Sequence, residues 1–223
     1  MFVFFMVLSL SVPQQPREVV EAYEVCRRFQ TIIAEDLDFA RAFEATFTKS
    51  PTRRREIAIA EGEFGDIDLA RVGDASLIDA FKSRMQILYL MMPLMSPDST
   101  REEALFFPPR IKAIFDRKPP KAPSRFHAYS LQLKRDVASL RAHLERLAKD
   151  HPPVAERIGK FKKEALSEKF EPPANDIVKP LTAYSRGRVL GLDEPYYQIG
   201  SYAVVREGNH MRIIGIRFFT RLF

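Results

Sequence analysis

One apolar stripe in the second half of the chain constrains the fold more than any other feature. Apolar residues recur at steps of seven, at Phe126, Leu133, Leu140 and Leu147, and Val137 and Leu144 lie between them, so that from Leu133 onward steps of four and three alternate. This spacing is typical of a long helix that buries one narrow face. We expect the helix to end near Asp150, because two prolines follow at 152 and 153 and proline breaks a helix interior.

The same two prolines open a second helical segment. Val154, Ile158, Phe161 and Leu166 fall on one face of it. Because the turn between the two helices is so short, the sequence predicts an antiparallel helical hairpin. The outer face of the second helix is basic: Arg157, Lys160, Lys162, Lys163 and Lys169.

The apolar pattern changes after Pro172-Pro173, where it takes up the two-residue period of a strand. Three strands are predicted, over residues 181–190, 196–206 and 211–219. Between the last two, Gly208-Asn209 favours a two-residue hairpin turn. That turn would pair Glu207 with His210, Val205 with Arg212 and Ala203 with Ile214.

The first half of the chain is predicted to be helical. Apolar residues at helical spacing indicate helices from about Pro16 to Ile33, over residues 38–46, from Ser50 to Glu61 and over residues 75–95. The fold class is therefore α+β, mostly helical with a small antiparallel three-stranded C-terminal sheet. One domain is favoured over two, since a chain of 223 residues can bury a single core.

Charge divides the chain at a proline-rich connector, residues 108–125, which holds five prolines. Residues 17–107 form a helical half with 12 basic and 17 acidic side chains. Residues 126–223 complete a basic half, and residues 108–223 together hold 23 basic and 12 acidic side chains. Three interpretations are open: the halves attract each other, the basic half faces an anionic partner, or it is a solvated surface.

The first 12 residues are apolar and uncharged. Their length suits the hydrophobic region of a secretory signal, about 7–15 residues, and falls short of the ~20 that a spanning helix needs. The basic residues expected before such a region are absent, as in a clipped signal. Two interpretations stay open: a signal segment of an exported (periplasmic or secreted) protein, or an apolar arm packed on the core of a cytoplasmic one.

An acidic loop is the one candidate metal site. Glu61, Glu63, Asp66 and Asp68 fall within eight residues, and hard cations bind several oxygen ligands close together. The spacing does not match the EF-hand pattern. The alternative is a solvated acidic turn. No cofactor is predicted, and the lone Cys26 lies on an apolar stripe as a small core residue.

Six cations of the basic half are the candidates for contacting an anion or a partner: Lys160, Lys162, Lys163, Arg186, Arg188 and Arg212. Basic residues beside aromatic ones on a sheet can bind single-stranded nucleic acid by charge and stacking. That interpretation requires Arg212 and Tyr202 to lie on an exposed face. The favoured alternative has the sheet aromatics packed on the helices.

No recognised catalytic or phosphate-binding motif occurs in the chain. The leading interpretation is a non-catalytic binding or interaction protein that uses a groove or the basic half, with a protein partner and no integral membrane span. The first alternative is an enzyme or small-molecule-binding domain with a pocket between sheet and helices. The second is nucleic-acid or anion binding by the basic half.

Overall fold

A computed structural model describes residues 17–94, 108–167, 178–180 and 195–216. Within these residues the chain forms seven α-helices: α1 Arg17–Asp36, α2 Phe39–Thr46, α3 Pro51–Glu61, α4 Asp74–Met91, α5 Pro109–Phe115, α6 Phe126–Asp150 and α7 Pro152–Ser167. Short 3-10 turns occupy Leu69–Arg71, Met92–Leu94 and Pro123–Arg125. The candidate signal segment, residues 1–12, and the first predicted strand lie outside the described residues.

Helices α6 and α7 confirm the predictions from the apolar stripe and the double proline. Phe126, Leu133, Leu140 and Leu147 are all buried, and α6 ends at Asp150. The stripe faces α4, against which α6 packs. Helix α7 packs on both α6 and α1, so the helical hairpin is built into the rest of the helices.

Two helices of the first half, α2 and α3, begin at capping residues that the sequence offers. The Asp38 side chain accepts a hydrogen bond from the Arg41 backbone N–H at the start of α2, and Ser50 does the same for Arg53 at the start of α3. These bonds satisfy N–H groups that have no partner within the helix. They mark where α2 and α3 begin.

The sheet is antiparallel and has the order β1-β2-β3-β4. Its main strands are β2 (Pro195–Ile199), β3 (Tyr202–Glu207) and β4 (His210–Ile216), and the three-residue β1 (Val178–Pro180) lies at the β2 edge. The single strand predicted over residues 196–206 is in fact two strands. Gly200 has a φ of 54°, a conformation that glycine adopts readily, and it turns the chain between β2 and β3.

The predicted Gly208-Asn209 turn is present, with Gly208 at a φ of 58°. Glu207 pairs with His210 and Val205 with Arg212, as predicted. Ala203 instead pairs with Gly215, because the register shifts between Ala203 and Val204. A bulge of this kind places two residues of one strand opposite one of its partner, and alternation of side chains alone does not reveal it.

The main hydrophobic core joins helices of both halves to one face of the sheet. Phe29 of α1 lies at its centre, with ring centroids 6.0 Å from Phe39, 5.9 Å from Phe47 and 5.6 Å from Tyr202. Two of these contacts, with Phe39 and Tyr202, are edge-on, and aromatic pairs of this kind contribute beyond the area they bury. The fold is thus α+β and mostly helical, closed by a small antiparallel sheet near the C-terminus, as the sequence predicts.

Candidate functional site

Ion pairs between the two halves take up part of the charge of the basic half. Arg206 of β3 lies 3.4 Å from Glu18 and 2.9 Å from Glu21 on α1, and Lys134 of α6 lies 2.7 Å from Asp79 on α4. For these residues the structure agrees with the interpretation in which the acidic and basic halves attract each other. Cations held in this way contribute to the fold and are less available to a partner.

Two of the six candidate cations are also used within the fold. The Lys162 Nζ donates to the Glu35 carbonyl oxygen at 2.7 Å, and the Arg212 Nη1 donates to the Ala45 carbonyl oxygen at 3.0 Å. Lys160 is exposed and lies 3.9 Å from Glu164 on the same helix, and Lys163 is exposed. Arg186 and Arg188 lie outside the described residues. Of the four that the structure describes, two are thus bonded within the fold, and a binding role for the six stays a prediction.

A denser group of cations surrounds the proline-rich connector. Residues 110–135 hold eight basic side chains and one acidic side chain. Three of the eight are ion-paired: Lys112 with Asp116, Arg117 with Asp136 and Lys134 with Asp79. The other five are exposed and are called here the connector surface: Arg110, Lys118, Lys121, Arg125 and Arg135.

Among the residues that the structure describes, the cations of the connector surface have no competing partner. In the part of the chain that the structure describes, none of the five side chains makes a salt bridge or a hydrogen bond. The sequence contains a signal for this surface in its local excess of basic over acidic residues. That signal is easily overlooked, because the prolines among these residues suggest only a linker.

The backbone beneath the connector surface is firmly held. Ile111 and Ile114 of α5 are buried in the core, and prolines at 119 and 120 prevent the helix from continuing beyond Phe115. Arg117 then donates through Nη2 to Asp136 at 3.3 Å, while Gln132 donates to the same carboxylate at 2.9 Å. Because Asp136 is itself buried, this contact ties the connector to α6.

The acidic loop does not form a metal centre in the described residues. No group of three or more histidine, cysteine, aspartate or glutamate side chains is placed there to hold a metal ion. Phe64 and Ile67 anchor the loop in the core, with the Phe64 ring 5.2 Å from that of Phe126. Glu63, Asp66 and Asp68 are exposed, and Glu61 is half-buried. A metal function for them stays a prediction.

The sheet aromatics do not offer stacking surfaces along the described strands. Tyr196 and Tyr202 are buried, and Tyr202 packs against Phe29. The Tyr197 hydroxyl donates to Glu18. Burial, and then this hydrogen bond, raise the pKa of Tyr197 to about 12. The condition that the nucleic-acid interpretation sets, an exposed Tyr202, is not met.

A second group of cations, Arg53 and Arg54, lies where α2, α3 and the β3–β4 hairpin meet. Both side chains are paired with carboxylates of the fold. Glu207 accepts hydrogen bonds from the Thr48 hydroxyl, the Lys49 backbone N–H at 2.9 Å and Arg53 at 3.3 Å. Beside it, Arg54 lies 2.9 Å from Glu44. Although burial raises the pKa of Glu44, the hydrogen bonds from Arg54 and Lys82 bring it below its ordinary value. The hydrogen bonds to Glu207 hold the β3–β4 hairpin against the segment that joins α2 to α3 and against α3 itself.

None of the helices in the described ranges is both long and apolar enough to cross a membrane. Comparison with protein-family models, with curated proteins and with solved structures found no match. The function must therefore be argued from the surface chemistry of this chain.

Proposed function

We propose that the protein is a non-catalytic binding protein and that its connector surface contacts an acidic segment of a partner protein. The observation that carries the proposal is a set of five exposed cations within residues 110–135 that form no ion pair with any other residue that the structure describes. Such a concentration of one sign of charge attracts an anionic partner and orients its approach. Export of the protein, with residues 1–12 as the signal segment, is a further proposal that concerns where it meets this partner.

Rigidity beneath the surface supports the proposal. Arg117 and Gln132 both hold Asp136, so the connector loses little conformational freedom when a partner binds. Binding is stronger when the contacting groups are already ordered. A charged but flexible tail would lack this advantage.

A protein partner is favoured over nucleic acid by the aromatic residues. Single-strand binding uses stacking of bases on exposed aromatic side chains. Tyr196 and Tyr202 are buried, and the Tyr197 hydroxyl is bonded to Glu18. The described strands therefore offer no stacking surface, and the exposed ring of Phe115 beside the cations does not supply the successive stacking positions that single-strand binding uses.

The test compares two variants with the same change in net charge. The connector variant carries R110E, K118E, K121E and R125E. The control variant carries R146E, K149E, K160E and K163E, at positions that are equally exposed on α6 and α7. The probes are a fluorescein-labelled peptide of twenty glutamates and a labelled twenty-nucleotide single-stranded DNA, each titrated by fluorescence anisotropy at low and physiological ionic strength.

We expect the connector variant to bind the glutamate peptide about tenfold more weakly, since four exposed charge contacts of a few tenths of a kcal/mol sum to about 1.4 kcal/mol. The control variant should stay within about twofold of the original protein. Equal losses in both variants would refute the connector surface, because net charge alone would then explain binding. Tighter binding of the DNA than of the peptide would overturn the choice of a protein partner.

A further inference from the structure

We propose that the acidic partner is a second copy of this chain, and that the acidic loop of each copy contacts the connector surface of the other. This inference rests on the proposed function and names its partner. Two such contacts, related by a two-fold axis, form a symmetric dimer. The carboxylates that make the contact are the three exposed ones of the loop: Glu63, Asp66 and Asp68.

The acidic loop presents carboxylates that the fold does not use. Phe64 and Ile67 are buried, whereas Glu63, Asp66 and Asp68 point into solvent from the same loop. Within the described ranges, none of these three side chains forms a salt bridge or a hydrogen bond. The loop is therefore the acidic counterpart of the connector surface.

The direction of two helices places the loop and the connector at one end of the molecule. Near the start of α4 and of α6, the Ser76 hydroxyl lies 3.0 Å from His127 Nδ1. Farther along both helices, Gln86 and Arg141 donate to the carbonyl oxygen of Leu37. The two helices thus run side by side in the same direction. The acidic loop comes shortly before α4 and the connector directly before α6, so both lie at the same end of this helix pair.

A ring contact joins the two segments. The Phe64 ring lies 5.2 Å from the Phe126 ring, measured between centroids. Glu63 directly precedes Phe64 in the chain, and Arg125 directly precedes Phe126. An acidic and a basic area are thereby neighbours on the surface. Among the residues that the structure describes, no salt bridge joins the three carboxylates to the connector surface.

Neighbouring areas of opposite charge make a surface complementary to itself. In a two-fold dimer the acidic area of one copy faces the basic area of the other, and every contact occurs twice. An unrelated acidic protein would pair with the connector surface and leave the three loop carboxylates without a partner. A second copy pairs both areas and keeps like charges apart.

The experiment measures self-association of the full chain by sedimentation equilibrium at low and physiological ionic strength. The loop variant carries E63K, D66K and D68K. Its matched control, the acidic control, carries E145K, D150K and E156K, at exposed positions on α6 and α7 that form no ion pair within the described residues. The connector variant and its control are those of the peptide titration. Circular dichroism checks that every variant keeps its helical content.

We expect the original protein to self-associate at concentrations up to about 0.5 mM and to dissociate as salt is added. The loop variant and the connector variant should each associate about tenfold more weakly, and the two controls should stay within about twofold of the original protein.

Mixing the variants tests whether the two areas meet. In a mixed dimer of the loop variant and the connector variant, both contacts again join opposite charges, so association should be restored. A mixture of the acidic control and the connector variant has the same net charges, yet one of its two contacts joins like charges. That mixture should therefore associate more weakly.

A monomeric original protein over this range of concentration, or equal association of the two mixtures, would overturn the inference. The peptide titration keeps the proposed function separate. If the connector variant loses affinity for the glutamate peptide while the original protein is monomeric, the proposed function stands and only the second copy is excluded. If the peptide binds the connector variant as tightly as the original protein, the proposed function fails as well.

Discussion

Two groups of arginine and lysine side chains differ in whether they have an acidic neighbour. The first group joins the two halves, and the second forms the connector surface. Arg206 is bonded to Glu18 and Glu21 of α1, and Lys134 to Asp79 of α4. Arg110 and Lys118, in contrast, have no acidic partner among the described residues. Availability for a partner therefore depends on the neighbours in the fold and not on the count of charges.

The comparison also separates two kinds of energetic contribution. A cation whose partner is buried or shared affects the stability of the fold, because its removal leaves a carboxylate without compensation. An exposed cation without a partner has little effect on stability. Substitutions in the two groups should therefore affect different measurements.

The largest loss of stability is expected for Arg117→Ala. This change leaves Asp136, whose side chain is only 6% exposed, with Gln132 as its remaining partner. We expect the free energy of unfolding in urea to fall by about 3 kcal/mol, near the lower end for a broken buried pair. Arg117→Lys should lose less because it keeps the charge, and equal losses in the two variants would show that packing of the side chain, and not charge, holds the connector.

The next largest effect is expected for Glu207→Ala. This change removes the acceptor for Thr48, Lys49 and Arg53. The loss should be about 2 kcal/mol, since several partly buried hydrogen bonds disappear together. Glu207→Gln is the matched control, and it should recover part of the loss in chemical denaturation. An unaffected Glu207→Ala protein would mean that the hairpin is held by its apolar face alone.

A smaller and pH-dependent effect is expected for Tyr197→Phe. The pKa of Tyr197 is raised to about 12, whereas an unfolded chain ionises tyrosine near pH 10. The folded state therefore keeps a proton that the unfolded state has lost, and the stability contributed by Tyr197 is complete below about pH 10 and is lost as the pH rises toward 12.

The measurement is the difference in free energy of unfolding between the original protein and Tyr197→Phe from pH 8 to pH 12. We expect about 1 kcal/mol at pH 8, decreasing between pH 10 and 12. A difference that stays constant over that range would contradict the hydrogen bond from Tyr197 to Glu18.

The smallest effect on stability is expected for the connector variant R110E/K118E/K121E/R125E. The four side chains are exposed and form no ion pair within the described parts of the chain, so the free energy of unfolding should change by less than about 1 kcal/mol. Thermal and urea unfolding would check this. A loss comparable to that of Arg117→Ala would place these cations among the residues that hold the fold together, and the comparison between the two groups would fail.

Much of the fold could be predicted because its signals are local. The heptad spacing of α6, the prolines at 152 and 153, and the Gly208-Asn209 turn each act within a few residues. The split of the predicted strand at Gly200 was missed, since one glycine in a run of strand-forming residues does not by itself indicate a turn. The register shift at Ala203 was missed because it depends on the pairing with β4.

The candidate site was harder to predict because the availability of a cation is a tertiary property. Lys162 lies on a basic helix face in the sequence, yet it donates to Glu35, 127 positions earlier in the chain. Arg53 and Glu207 are separated by 154 positions and meet at the hairpin. The local excess of basic residues around Lys118 and Lys121 does not by itself show that their side chains stay exposed, since the helix face that carries Lys162 is basic as well.

The central claim, that the connector surface is the place where an acidic partner binds, can be tested most directly by mapping that contact residue by residue. Amide chemical-shift changes would be recorded by NMR on the full chain during titration with the peptide of twenty glutamates. The account predicts that the largest changes fall within residues 109–135, on α5, the connector and the start of α6. Largest changes on α7 or on the strands β2 to β4, with residues 109–135 unaffected, would contradict it.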